Sequence, residues 1–277
     1  MLRKDLRSLK QTRTLSVELG VVQEADGSAE LQQGGTKVLA SILGPAAPRY
    51  ARYELCDRAA VEVEVEVAVR PLGGAGASGE AGASAMEASR RRRKLSSFLQ
   101  KALTPALLLD QPRQLILFSV LVLSDDGAGF AAALNACSLA ALDAGLHMRY
   151  VPCAASICAM PGEAYGGGVG DSRGGGGGEG GDARCLLLDP SLYEEGASVA
   201  QYVFALAQTQ GIGSDSGNSS GNSSGGSGDG GGLALLASEC SGIFEVEEMV
   251  QALSLGSQAA VAVGASMRQC IAAKLGH

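Results

Sequence analysis

Five consecutive cations, Arg90-Arg91-Arg92-Arg93-Lys94, form the densest block of charge in the chain. Guanidinium groups fork onto phosphate oxygens without reading bases, so this run suits contact with an RNA backbone or with another subunit. A solvated basic face or an import-type patch would use the same residues. Arg49, Arg52 and Arg70 are further cations that an RNA-facing surface could recruit. Histidine occurs only twice, at His147 and His277, which leaves little scope for an imidazole general base. Cys153 and Cys158 lie five apart in the apolar stretch VPCAASICAM. Zinc needs about four ligands and no histidine stands nearby, so both read as core thiols. Neither a metal nor a cofactor is expected.

The whole-chain balance narrows the classes further. The 277 residues carry a net charge of −7, against a freely basic nucleic-acid binder, although a local basic patch stays compatible with it. Aromatic residues make up 4% and tryptophan is absent, so base-stacking platforms are scarce. Apolar residues make up 46%, enough for a substantial core. No apolar run approaches the roughly 20 residues of a membrane-spanning helix, and no membrane role is expected. The opening MLRKDLRSLKQTRT is charged throughout and does not read as a secretory signal. Seven cysteines, an odd number at wide spacings, fit free thiols in a reducing compartment.

Of the 40 glycines, 27 fall within 73–82, 161–185 and 211–232. Gly/Ser-rich segments bury too little apolar surface to offset chain entropy, so disordered insertions are expected at about 73–84, 166–182 and 211–232. None ends in the Gly-Lys-Ser/Thr of a phosphate-binding P-loop. Asn218 and Asn222 match the glycosylation pattern and read as chance matches.

Elsewhere, helical and strand patterns alternate. Strands are expected over 14–22, 28–33 and 36–43, broken at the turn pairs Asp26-Gly27 and Gly34-Gly35. Residues 60–70 alternate strictly, with Val61, Val63, Val65, Val67 and Val69 on one face and Glu62, Glu64 and Glu66 on the other. That acidic face reads as solvated; three carboxylates there could also meet a metal. A helix is expected over 95–107, ending or kinking at Pro105. The apolar run 115–123 suits a strand buried on both faces. A helix over 131–144 would stop at Gly145. Strands near 148–160, 185–188, 199–207 and 233–238 precede a final helix over 245–273. Its early glutamates and late Arg268 and Lys274 complement the helix dipole. The pattern is α+β, in an α/β-like two-layer arrangement: one domain over 1–277 with a mixed sheet, two central helices and a long C-terminal helix.

Several blocks resemble a known family in order. ADGSAELQQGGTKVLASILGP (25–45) resembles the opening hairpin of RNase PH-fold proteins, an Asp-Gly-Ser turn and then a strand after Gln-Gly-x-Thr. Cys56-Asp57-Arg58-Ala59 resembles the segment before their third strand. KALTPALLLD (101–110), SDDGAGFAAALNACSLAALDAGLHMR (124–149) and LLLDPSLYEEGASVAQYVFALA (186–207) follow in the same order. The chain is thereby identified as similar to the RNase PH-like subunits of the eukaryotic RNA exosome core.

The resemblance implies a ring of six such subunits, arranged as heterodimers, around a channel for single-stranded RNA. It further implies cap subunits with RNA-binding modules, and a place in the nucleus, including the nucleolus, and the cytoplasm. The implied work is 3′-to-5′ RNA processing and degradation, including rRNA maturation and mRNA turnover. Active members hold phosphate with a Gly-Gly-Thr/Ser-Arg turn opening the central helix, where backbone amides, a hydroxyl and a guanidinium clamp the anion. In this chain the hydroxyl position is Gly129 and the arginine position is Phe130. Active members also carry two aspartates six apart; the matching positions are Glu195 and Gln201. These four degenerate positions imply a catalytically inactive homologue. The alternative is an active phosphorolytic exoribonuclease, or a chain that completes a partner's site. The expected RNA contacts are Arg90, Arg91, Arg92, Arg93 and Lys94, just before the helix at 95.

Overall fold

A computed structural model describes residues 3, 5–48, 50, 54–68, 81–161, 184–209 and 232–275. The strands are β1 (Leu15–Leu19), β2 (Gly27–Gln33), β3 (Thr36–Ala46), β4 (Ala60–Val67), β5 (Leu115–Ser124), β6 (Pro152–Met160), β7 (Cys185–Leu188), β8 (Ala200–Thr209) and β9 (Gly232–Gly242). The helices are α1 (Ala81–Ala106), α2 (Gly129–Asp143), α3 (Leu192–Ala197) and α4 (Val246–Leu275).

The expected mixed sheet has the order β1-β2-β3-β5-β4, with β4 parallel to β5 and the remaining pairs antiparallel. A second, antiparallel sheet of order β7-β6-β8-β9 accompanies it. Helix α2 touches β2 and β3 on one side and β6 and β8 on the other, so it lies between the sheets. Helix α1 packs beside it against β4 and β9, and α4 covers the far side of β6 and β8. The layers therefore run sheet, helices, sheet, helix.

Composition explains the middle layer. Helix α2 is buried from Ala131 through Ala141, and most of those residues are alanine, so two sheets can approach it closely. A Cβ on Gly27 would collide with the backbone of Ala140 and Ala144. Asn135 is fully buried yet satisfied: its amide donates to the Ala154 carbonyl at 3.2 Å and its oxygen accepts from the Ala154 N–H at 2.8 Å. Strand β6 is buried at every position, because α2 and α4 cover its two faces.

Several expectations need correction. The helix expected over 95–107 begins at Ala81, so the run Arg90–Lys94 lies inside it rather than ahead of it. The supposed insertion at 73–84 thus overlaps the first turn of α1. Strand β5 is not buried on both faces: Ile116, Phe118, Val120 and Val122 are buried, while the alternate residues are only partly covered. The valine face of β4 fades along its length, from Val61 at 8% exposure to Val67 at 41%. The strand expected from 148 starts at Pro152; Met148 makes only an isolated bridge with Leu107. The short helix α3 was not expected. Arg49, Arg52, Arg70, Val69, Asn218, Asn222, His277 and the insertions at 166–182 and 211–231 lie outside the described residues.

Leu99 of α1 is fully buried, whereas Leu43 of β3 is 47% exposed. Leu99→Ala is expected to lower unfolding free energy by about 2–5 kcal/mol, the range for emptying a packed leucine site. Leu43→Ala should stay within about 0.5 kcal/mol in the isolated chain. Urea denaturation of both variants checks the contrast.

Candidate phosphate site and basic cleft

Strand β5 leads into α2 through Asp125-Asp126-Gly127-Ala128. Gly127 and Ala128 both adopt positive φ, at 90° and 55°, which folds this turn tightly over the helix start. Thr36, fully buried, holds the turn from β3: its hydroxyl donates to the Gly127 carbonyl at 2.7 Å and accepts from the Asp126 N–H at 3.0 Å. Gly127 has no room for a side chain, since a Cβ there would meet Pro190 and Ser191.

The start of a helix presents free N–H groups and suits an anion. Here the chain supplies its own. The Ala128 N–H donates to Glu195 Oε1 at 2.6 Å, and the Gly127 N–H donates to Asp125 Oδ1 at 3.2 Å. A cation beside the turn is also engaged: Arg91 Nη2 pairs with Asp125 Oδ2 at 2.7 Å. A Cβ at Gly129 would sit 3.0 Å from the Asp125 carboxylate, so the position of the family hydroxyl is crowded by charge. Phe130 turns inward and meets Phe98 with ring centroids 5.9 Å apart. Gln201 does not reach the turn; its amide donates to the Glu195 carbonyl at 2.8 Å and to Ser198 Oγ at 3.2 Å, bracing the end of α3. Burial pushes the Glu195 carboxyl upward and nearby Asp125 adds to that, against the lowering effects of the Ala128 bond, Arg91 and Arg13.

Arg13 and Asp189, from two distant segments, fix this turn. Arg13 donates to the carbonyls of Asp126 and Gly127, both at 2.9 Å, and pairs with Asp189 at 2.7 Å. Asp189 is 2% exposed and has φ of 53°. Its carboxylate also accepts from the Arg13 N–H at 2.7 Å, and its carbonyl accepts from Arg3 and Arg7. The Asp189-Pro190 pair is a sequence signal for a turn. Arg13 gives none.

Helical periodicity divides the cationic run. Arg91 faces the turn, whereas Arg90, Arg93 and Lys94 join Lys101 about two to three turns on, lining a cleft of about 470 Å³ between α1 and β9. Lys94 pairs there with Glu239 of β9 at 3.2 Å. Arg92 is exposed. Cys153 and Cys158 are core thiols: burial raises Cys153 to about 11 and Cys158 to about 12. Among the described residues no group of three or more His, Cys, Asp or Glu is arranged to hold a metal.

Residues 11–147 match the model of the 3′ exoribonuclease family, domain 1, of the RNase PH type. The chain is 34% identical over 217 residues to exosome complex component RRP41 of Homo sapiens, covering 76% of this chain and 74% of that protein. The chain belongs to the RNase PH family. It is also 36% identical over 149 residues to Rrp41 of Pyrobaculum calidifontis, spanning 53% of this chain and 58% of that relative. The chain thus spans little more than half the length of its archaeal relatives. The RNase PH fold extends along nearly the whole chain: the crystal structure of rice Rrp46 superposes with TM-score 0.67, covering 96% of this chain and 98% of that one at 19% identity.

Two outcomes are expected for this RNase PH-family turn. Removing one member of a buried ion pair leaves the other charge unpaired, so Arg13→Met should lower stability by about 3–5 kcal/mol in urea denaturation. The Glu195 carboxyl binds its proton more tightly folded than unfolded, so its contribution to stability falls as pH rises from the ordinary carboxylate range through its raised folded value. Glu195→Gln keeps an oxygen for the Ala128 N–H and cannot titrate. Its stability should exceed that of the wild type increasingly as pH rises through that interval, as measured by thermal melts across pH.

Proposed function

We propose that this chain is a noncatalytic structural and RNA-guiding subunit of an RNA exosome ring, supporting 3′-to-5′ RNA processing and degradation such as rRNA maturation and mRNA turnover. Its similarity to RRP41 supports the ring assignment. The observation that carries the noncatalytic reading is the Ala128 N–H bonded to Glu195. An incoming phosphate would have to displace a carboxylate of this chain, with Gly129 and Phe130 offering neither hydroxyl nor guanidinium in return. Gln201 cannot ionise, so the paired carboxylates of active relatives are reduced to one. The ring member proposed is exosome component five, on the degenerate turn and the Asp189-Pro190 pair after β7. Its neighbours would be other RNase PH-like subunits and cap subunits with RNA-binding modules, in the nucleus, nucleolus and cytoplasm.

RNA guidance is assigned to the cleft between α1 and β9. Arg90, Arg93 and Lys101 present cations along one helix face, and contacts of that kind hold phosphates without reading sequence. Arg91, paired with Asp125, is spent on structure.

The isolated protein, given inorganic phosphate and oligo(A), is expected to release no nucleoside diphosphate. Phosphate-dependent release that disappears in Glu195→Ala would establish the competing reading, an active phosphorolytic exoribonuclease. Within an assembled ring, Arg90→Glu/Arg93→Glu/Lys101→Glu should reduce RNA crosslinking at least several-fold and flatten its salt dependence while assembly persists. Unchanged crosslinking would remove the guiding role from this cleft.

A further inference from the structure

One carboxylate stands among the cations of the cleft between α1 and β9. Glu239 reaches over from β9, where its strand register sets it beside Val203 of β8, and pairs with Lys94 of α1 at 3.2 Å. The bridge therefore crosses the cleft from wall to wall. The other charged residues of the lining are Arg90, Arg93 and Lys101. Among the described residues these three make no ion pair.

The bridge stands in the way of an anionic chain. Lys94 follows Arg93 directly and precedes Lys101 by about 10 Å along the helix axis, at ~1.5 Å per residue. A phosphate backbone held by Arg90 and Arg93 at one end and by Lys101 at the other passes Glu239 between them. The pair is also open to exchange. Its side chains are 45% and 34% exposed, and ion pairs this wet are weak. The neighbouring pair of Arg91 with Asp125 differs: it is shorter, at 2.7 Å, and its carboxylate also holds the Gly127 N–H of the turn. Hydroxyls of Ser97 and Ser238 line the cleft beside the bridge and add neutral partners for phosphate oxygens.

We propose that Glu239 is an exchangeable stand-in for phosphate: RNA entering the cleft takes Lys94 from it, and the displaced carboxylate then keeps the hold on the strand loose. The inference rests on the RNA-guiding reading of this cleft and adds what regulates it. Guidance requires that a strand pass through, so binding must be favourable enough to enter and weak enough to leave. Four unopposed cations on one helix face would retain a strand. Glu239 neutralises one of them before RNA arrives and lays a like charge beside the phosphates afterwards.

The test is binding of fluorescent oligo(A) to the assembled ring, followed by anisotropy across a salt series. The variants are Glu239→Gln, Lys94→Gln and Lys94→Gln/Glu239→Gln, with native mass spectrometry and thermal melting to establish assembly and folding. Glu239→Gln leaves Lys94 free beforehand, so affinity at low salt should rise several-fold. The slope of log affinity against log salt should steepen by about 0.7, the value for one further phosphate contact in a single strand. Lys94→Gln should weaken binding, because Glu239 then stands unopposed in the path, and the double variant should recover most of that loss. Wild-type affinity and slope in Glu239→Gln, while Arg90→Glu/Arg93→Glu/Lys101→Glu still weakens binding, would overturn the exchange and leave the cleft reading standing. Weaker binding by Glu239→Gln would make the bridge a structural brace and overturn the exchange as well. A double variant no better than Lys94→Gln would do the same. Undiminished binding by the triple glutamate variant would remove RNA from this cleft, and the exchange with it.

Discussion

One buried ion pair holds the functional end of this molecule together. Asp189 takes both the main-chain N–H and the guanidinium of Arg13, while that guanidinium reaches the carbonyls of Asp126 and Gly127. Three stretches far apart in sequence thus meet at a single ion pair: the N-terminal strap, the turn into α2 and the turn into α3. Asp189 holds a left-handed backbone to do this, a conformation that ordinarily costs about 1–3 kcal/mol for a residue other than glycine. Unpaired, either charge would be left in a largely dry setting, so the three segments are held jointly or not at all.

The same turn satisfies the start of α2 from within the chain. Helix starts want negative charge, and the geometry that offers amides to a ligand offers them equally to a carboxylate of the chain. Glu195 takes that place from α3, and Asp125 takes Arg91. Phe130 then makes apolar contact with Phe98. These internal contacts satisfy this end of α2, so the fold does not depend on a bound anion there.

Much of the framework was readable from the residues, for physical reasons. The strict alternation of 60–67 and the turn pairs at 26–27 and 34–35 carry period-two and glycine signals that few other structures share. Alanine-rich 131–144 could only be a helix tightly enclosed. The extent of α1 was not readable, because its first turns, AGASAMEASRRRRK, have no apolar periodicity and resemble the Gly/Ser-rich stretch before them. The partly covered outer face of β5 was hidden for the opposite reason: an unbroken apolar run looks alike whether both faces are covered within the chain or only one. At the site, Gly129, Phe130, Glu195 and Gln201 were found through resemblance, and the structure sets Gln201 apart from the other three. Arg13, Thr36 and Asp125 escaped notice, since single polar residues at element ends have no periodicity to mark them. Arg91 was singled out only as one of five cations, and its partner Asp125 lies 34 positions away.

The separation of Arg13 from Asp189 has a consequence for how the molecule is made. Their hydrogen bonds close a loop spanning 176 positions. At about 5–20 residues per second, ribosomal synthesis takes on the order of 9–35 s to produce the second member after the first. Throughout that interval the first sheet and α2 can associate and Arg13 can reach the Asp126 and Gly127 carbonyls, while its carboxylate partner is still missing. The turn at 125–128 therefore gains its final brace only after β7 has emerged.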